Sequence, residues 1–286
     1  MWVRTPGLEV HIRAVEAGSG FLSTSPEFAL KRLLVGGLER VFSLGKCFRA
    51  EEEGAHHSVE FSMLEWYRAG EGLRAIERDC EALIASLAAG ALSVGGRSIA
   101  TSAPFARQSI RRLFKEHAAL EIRGDESDDE FLDAARGAGH DVGAARAFDD
   151  VFYTVWLNAV EPAVAALNTP VFVCDWPVRL AALARPLPSD PALVERFELY
   201  IAGVELANAF GELTDAAVQR QRFEAEQRDR RDRGLPVYPI DETFLAALEE
   251  GMPESSGVAL GFDRLVMLLA GADSIGEVQA FASGEI

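Results

Sequence analysis

The sequence predicts an antiparallel α+β fold, and three observations carry that prediction. Two pairs of strand-like segments are adjacent in the chain, at 41–49 with 59–67 and within 195–213. Helix-period segments separate them. A buried apolar run, SSGVALGFDRLVMLLAG at 255–271, reads as a strand feeding directly into a helix. Strands that neighbour each other in sequence can close antiparallel through short turns, whereas parallel pairs need long crossovers.

Taken in order, STSPEFALKRLLVGG at 23–37 reads as a short helix. Ser25 is its candidate cap, Pro26 suits the first turn, and Phe28, Leu30, Leu33 and Leu34 form the apolar side before Gly36 and Gly37 end it. Residues 41–49 and 59–67 form a hairpin with a long acidic connection. Leu73, Ile76, Cys80, Leu83, Ile84 and Leu87 recur at helical spacing, so a helix follows. From about 101 to 167 the pattern is mostly helical, with a capping box over Ser127 to Glu130. PVFVCDWP at 170–177 is a short strand between prolines, and 195–213 is a second hairpin turning near Ala202 and Gly203. Thr214 caps a long charged helix that runs to Arg233 and closes at Gly234 and Pro236.

At 286 residues and 49% hydrophobic, the chain can bury a sizeable core. Its apolar runs fall far short of a membrane span and MWVRTPGLEV carries no signal-peptide pattern, so a soluble, cytoplasmic protein is expected. Cys47, Cys80 and Cys174 are too widely spaced for a disulfide framework or a paired-cysteine zinc site. A net charge of −17 disfavours broad nucleic-acid binding. The positive charge is almost all arginine, which suits anchored contacts to phosphate or carboxylate. The arginine-rich run QRDRRDRG at 227–234 is interleaved with aspartates and reads as a solvated helix face.

The stretch CFRAEEEGAHHSVEFSMLEWY, 47–67, admits three readings: a solvated acidic turn, a metal site on His56, His57 and Glu60, or a nucleotide pocket whose anion sits on Arg49. The histidine pair lacks the usual ligand spacing for zinc. Strand alternation puts Phe61, Met63, Glu65 and Tyr67 on one face and Glu60, Ser62, Leu64 and Trp66 on the other. The first face suits an aromatic ring on Phe61 and a cation held by Glu65 and Tyr67. Arg49 ends a face that includes Ser43, Gly45 and Cys47. In the second hairpin Asn208, Phe210 and Glu212 share a face. Glu198 and Glu205, seven apart across the turn and read as lacking a basic partner, suit Mg²⁺. Arg264 adds a guanidinium at a helix start, where anions are favoured. Together these groups are what a metal-bound triphosphate beside a small cationic molecule requires.

The stretches TSPEFALKRLL, FRAEEEGAHHSVEFSMLEWY, RFELYIAGVELANAFGELTD and GVALGFDRLVML resemble the catalytic domain of class II lysyl-tRNA synthetases. They are more similar still to a short paralogous family, the elongation factor P lysyltransferases. FRAE to LEWY resembles that family's motif 2, and GVALGFDRL its motif 3. The resemblance covers about 20–90 and 168–280 and implies a class II synthetase-like antiparallel sheet flanked by helices, with 101–167 as a helical insertion in a single domain over 1–286.

It also implies roles. Arg49 would hold the α-phosphate of ATP, Glu51 would lie near the adenine, His57 and Ser58 would cover the nucleotide, and Phe61 would stack on the base. Glu205 with Glu198 would hold Mg²⁺, Leu206 would lie beside the nucleotide, and Gly261 and Arg264 would line the distal phosphates. Ser25, Pro26, Glu27, Glu65, Tyr67, Asn208, Glu212 and Ala259 would surround lysine or β-lysine. The expected reaction is adenylate formation followed by transfer to a lysine of elongation factor P, with tRNA as the alternative acceptor. A non-catalytic ATP- or amino-acid-binding relative is the other alternative. The sequence departs from the family at Ala50, Ser58 and Val59 in motif 2. Motif 1, which builds the homodimer interface in the family, is not found, and neither is an anticodon-binding domain; the former puts a homodimer in question.

Overall fold

The computed structural model describes residues 1–7, 9–180 and 183–282. From the N-terminus, β1 (Trp2–Val3), β2 (Glu16–Ala17) and β3 (Gly20–Leu22) form a small antiparallel sheet. Next come α1 (Glu27–Val35), β4 (Arg40–Phe48), β5 (Glu60–Ala69) and α2 (Leu73–Ala88). A two-stranded ladder follows, β6 (Ala91–Val94) with β7 (Arg97–Ala100). After it stand β8 (Ala106–Ser109), α3 (Ile110–Ala118), α4 (Asp128–Gly137), α5 (Phe148–Val155) and α6 (Glu161–Ala165). The chain continues through β9 (Val171–Pro177), β10 (Pro186–Leu187), β11 (Asp190–Ile201) and β12 (Val204–Gly211). It then forms α7 (Ala216–Asp232), α8 (Glu242–Gly251), β13 (Ser255–Gly261) and α9 (Phe262–Ala270). These elements group into two compact units, Met1–Ile76 with Glu212–Ile286, and Glu77–Gly211.

In the first unit β5 pairs antiparallel with β4 on one side and β13 on the other, in unbroken register. The predicted alternation holds. Met63, Glu65 and Tyr67 are buried, while across the β4 ladder Phe42 and Leu44 stand on the outer face, Phe42 at 75% exposure. Helices α1, α7 and α8 are joined by Phe28, Phe223 and Phe244, with Phe28 stacked on Phe244 at 4.5 Å. In the second unit β11 lies between β9 and β12. Its core is aromatic, with Phe114, Phe131, Phe148, Phe152, Trp156 and Trp176 packed together. The β11–β12 turn falls at Ala202 and Gly203, as expected. Both have positive φ, 52° and 88°, the geometry whose twist matches a two-residue hairpin.

Several expectations need correction. Ser25 lies one residue outside the helix cap, which is Pro26, and its hydroxyl takes the Glu27 N–H from there at 3.0 Å. Asp215, not Thr214, caps α7, because its carboxylate reaches the N–H groups of Ala217 and Val218. The region 101–167 is mostly helical, as read, with one strand near its start. It opens with β8, which pairs parallel with β9, the one departure from antiparallel order among the described strand pairs. The α4 capping box is present as expected, with Ser127 and Glu130 reciprocally bonded.

The QRDRRDRG run is not a uniformly solvated face. Arg230 is fully buried and donates to the carbonyls of Glu9, Val10, Ile12 and Pro236, with its guanidinium 4.3 Å from the Tyr238 ring. A guanidinium carries five N–H donors in a fixed fork, so a single arginine can close a loop made of carbonyls. The neighbouring aspartates hide that role from a charge count.

Candidate active site

In the first unit the start of α1, the buried face of β5, residue 212 and β13 meet around a cluster of acids. Glu65 accepts from the Tyr67 hydroxyl at 2.6 Å and from the Ser25 hydroxyl at 2.7 Å. Burial, then the charge of Glu27, pushes Glu65 up to about 8. Burial and Glu65 likewise hold the Tyr67 phenol above its ordinary value, so it stays a donor. Glu212 is fixed by its own N–H, which donates to Ser255 at 3.0 Å. Its carboxylate faces Lys31, whose Nζ lies 2.5 Å from Glu212 Oε2 and 2.5 Å from Glu27 Oε1. Burial disfavours the Lys31 ammonium, but Glu212 and Glu27 outweigh it and hold its pKa above the usual lysine value.

Thus Ser25, Glu27, Glu65, Tyr67 and Glu212 are brought together, with Pro26 at the helix start beside them. Ala259 stands directly opposite Glu65 in the β13–β5 ladder. Two residues escaped the sequence reading. Lys31 was legible in principle, since 27, 30, 31 and 34 share one side of a helix and Leu30 and Leu34 are buried. Gly257 was not. A β-carbon there would fall onto the Tyr67 ring and 2.9 Å from Glu212 Oε1. Gly257→Ala is therefore expected to lower unfolding stability by about 1–3 kcal/mol through overpacking against Tyr67 and Glu212, which denaturant titration checks.

The same unit holds the arginines. Arg49 follows β4, its N–H bonded to Val59 at 2.9 Å and its guanidinium 5.2 Å from the Phe61 ring. Its Nε is buried without a hydrogen-bond partner among the described residues, and Glu52 approaches Nη1 only to 3.8 Å. Such a donor asks for an anion. Arg264, in the first turn of α9 after Gly261, donates to the His56 carbonyl at 3.0 Å and meets His57 Nε2 at 2.8 Å. Arginine can only donate, so that nitrogen accepts and the ring is neutral there. Burial, then the Arg264 charge, lowers the His56 pKa. Gly54 and His57 bond each other in both directions, so the acidic loop is itself a small hairpin.

Among the described residues no three His, Cys, Asp or Glu side chains are placed to hold a metal ion, which leaves the histidine metal reading without support. Ser58 is buried within the loop. Glu51 goes elsewhere. It is exposed, has a φ of 65° and pairs with Arg13.

In the second unit Glu198 lies on β11 opposite Asn208 of β12, and Tyr200 lies opposite Glu205. Leu206 has no partner in this ladder because the register shifts there. That bulge puts Glu205 on the face of Asn208 and Phe210, where strict alternation would have turned it away. Leu206 itself is buried. The expectation that Glu198 lacks a basic partner is overturned. Arg196 donates to Glu198 Oε1, Tyr200 donates to Oε2 at 2.6 Å, and Arg196 also reaches Asn208 Oδ1 at 3.1 Å. Trp176 lies 4.3 Å beneath the guanidinium.

Burial, then the charge of Glu205, pushes Glu198 up to about 7, and the same two causes raise Glu161, a residue the sequence reading passed over. Glu198 and Glu205 are carboxylates of the kind a hard divalent cation takes, but both Glu198 oxygens are already held by Arg196 and Tyr200, and no third acid completes a metal group among the described residues.

An antiparallel sheet with an acid-lined pocket and separate arginines matches the class II synthetase plan. Residues 8–285 match the sequence pattern of the tRNA synthetases class II (D, K and N), and the chain belongs to that family. Within it, the chain is 40% identical over 262 residues to the elongation factor P–(R)-β-lysine ligase of Klebsiella pneumoniae, covering 91% of this chain and 77% of that protein. The protein of the same name from Vibrio cholerae is 40% identical over 266 residues, with 91% and 76% covered. That from Erwinia tasmaniensis is 39% identical over 262 residues, with 91% and 77% covered. Among the described residues no helix is long and apolar enough to cross a membrane.

Proposed function

We propose that this chain uses ATP to activate a lysine-type amino acid, β-lysine in preference to α-lysine, and passes it to a lysine of elongation factor P. The observation that carries the reading is the closed acid–phenol pocket of Ser25, Glu27, Glu65, Tyr67 and Glu212, which has ammonium chemistry and little else. The names of its relatives support the donor and the acceptor. We keep the whole chain as one catalytic domain in this proposal, and place its work in the cytoplasm.

In the first step a carboxylate oxygen of the amino acid attacks the α-phosphorus of ATP and pyrophosphate leaves. Arg49 would stabilise the charge that builds on the α-phosphoryl oxygens, which is where a preorganised donor is most effective. Phe61 would stack on the adenine, with His57 and Ser58 over it; Glu51, which pairs with Arg13, is left out of this contact. Arg264 would exchange its His57 contact for the departing phosphates, next to Gly261. Mg²⁺, when bound, supplies neutralising charge to phosphate oxygens; Glu205 with Glu198 would hold it. In the second step the acceptor amine attacks the acyl carbon, an amide forms and AMP leaves. Pro26, at the start of α1, would stand beside the amino acid.

Ala259 sets the donor. It stands opposite Glu65, the acid left over once Glu27 and Glu212 are paired with Lys31. Its methyl group would crowd an amine on the α-carbon and leave room for one a carbon further along. One methyl is worth roughly 1–3 kcal/mol in such discrimination. Ala259→Gly is therefore expected to narrow or reverse the preference for β-lysine in pyrophosphate exchange. The deciding experiment incubates the protein with ATP and labelled donor, with either elongation factor P or tRNA present. Label is expected on elongation factor P. Label on tRNA, with α-lysine as the better donor, would show a tRNA-charging enzyme instead.

A further inference from the structure

Lys31 has a place in the pocket that the reaction does not assign. Its side chain is 1% exposed, yet it sits at hydrogen-bond distance from two carboxylates, Glu27 and Glu212. It cannot be a surface pair that drifts in and out. Leu30 and Leu34 bury the same side of α1, and the Tyr67 and Phe244 rings each lie 6.0 Å from Nζ. The cation is therefore a permanent part of the wall.

Glu27, Glu65 and Glu212 contribute three potential negative charges, and Lys31 contributes one positive charge. Two remain open. A buried ionised group without a counter-charge is strongly disfavoured, so a site of this kind selects the ligand that completes its balance. A diamino acid carries two ammonium groups. An apolar amino acid of the same length carries one.

Resting on the lysine-pocket reading above, we propose that Lys31 is a specificity-determining residue. It is a resident ammonium that keeps Glu27 and Glu212 ionised and oriented, and it reduces a three-acid pocket to two open charges, the number a diamino acid supplies. Lys31 touches the acids rather than the substrate's reacting atoms, so it acts by positioning and by charge.

The test uses pyrophosphate exchange with wild type, Lys31→Met, Glu27→Gln and the double variant Lys31→Met/Glu27→Gln. Lysine and norleucine are varied separately at saturating ATP, and folding is followed by thermal melting. Lys31→Met is expected to raise the KM for lysine about tenfold or more while the KM for ATP stays within about threefold. Glu27→Gln alone leaves one open charge and is expected to weaken lysine similarly. The double variant restores two open charges, so its KM for lysine should fall back toward the wild type and lie below that of either single variant. A role in packing alone cannot produce that reversal.

If Lys31→Met does not fold, the comparison of Glu27→Gln with the double variant still decides. A double variant no better than Glu27→Gln overturns the proposal, and so does a Lys31→Met enzyme with an unchanged KM for lysine. A wild type that activates norleucine as well as lysine would instead overturn the pocket reading itself. A wild type that strongly prefers lysine, with no reversal among the variants, would leave the pocket standing and remove Lys31 from specificity.

Discussion

Norleucine is expected to be activated roughly 10⁴-fold less efficiently than lysine, the size of effect seen when a site built for a polar group receives a ligand without one. The cause lies in the pocket, not in the missing contact. Glu65 already accepts from Tyr67 and Ser25, and Glu212 and Glu27 share Lys31, so every polar atom there is arranged around positive charge. An apolar chain end would leave carboxylates buried with no second cation. Glu212→Gln should reproduce much of that loss for lysine while leaving ATP binding near normal. Pyrophosphate exchange under amino-acid and ATP saturation separates the two. Equal activation of lysine and norleucine would place the pocket elsewhere.

Arg49→Ala is expected to lower adenylate formation by two to three orders of magnitude, about 3–4 kcal/mol, as for removal of one transition-state donor. Stability should hardly change. Arg49 follows the end of β4 and its Nε makes no hydrogen bond with the described residues, so folding gains little from it. The guanidinium rests 5.2 Å from Phe61, a contact worth no more than about 1 kcal/mol at a partly exposed site. Single-turnover formation of the adenylate, read alongside a denaturant melt, distinguishes loss of chemistry from loss of fold. Near-normal exchange would remove Arg49 from the phosphate.

Strand alternation was enough to find the β5 face, because the period of two follows from the backbone and holds wherever pairing is regular. It was enough for the Ala202 and Gly203 turn for the same reason. It has no purchase on Glu205, whose face depends on a bulge that no residue type announces. Charge patterning was weaker still. It read Glu198 as unpaired and the 227–234 run as solvated, while Arg196 and Arg230 sit buried on carboxylate and carbonyl partners. Sequence-distant partners of an arginine are invisible to local counting. Lys31 shows the middle case: an i, i+4 pair with Glu27 that looks like surface decoration until its apolar neighbours are weighed.

The irregular step at Leu206 makes the facing of Glu205 depend on where the ladder slips, which the composition of the hairpin does not reveal. Closing the slip with every residue kept would turn Glu205 to the opposite side of the strand from Asn208, since the period of two would then run unbroken between them. Deleting Leu206 removes the slip and the extra residue together, so Glu205 would stay opposite Tyr200 and on the face of Asn208. In redesigning the strand, Leu206 and its bulge should be kept as one or removed as one.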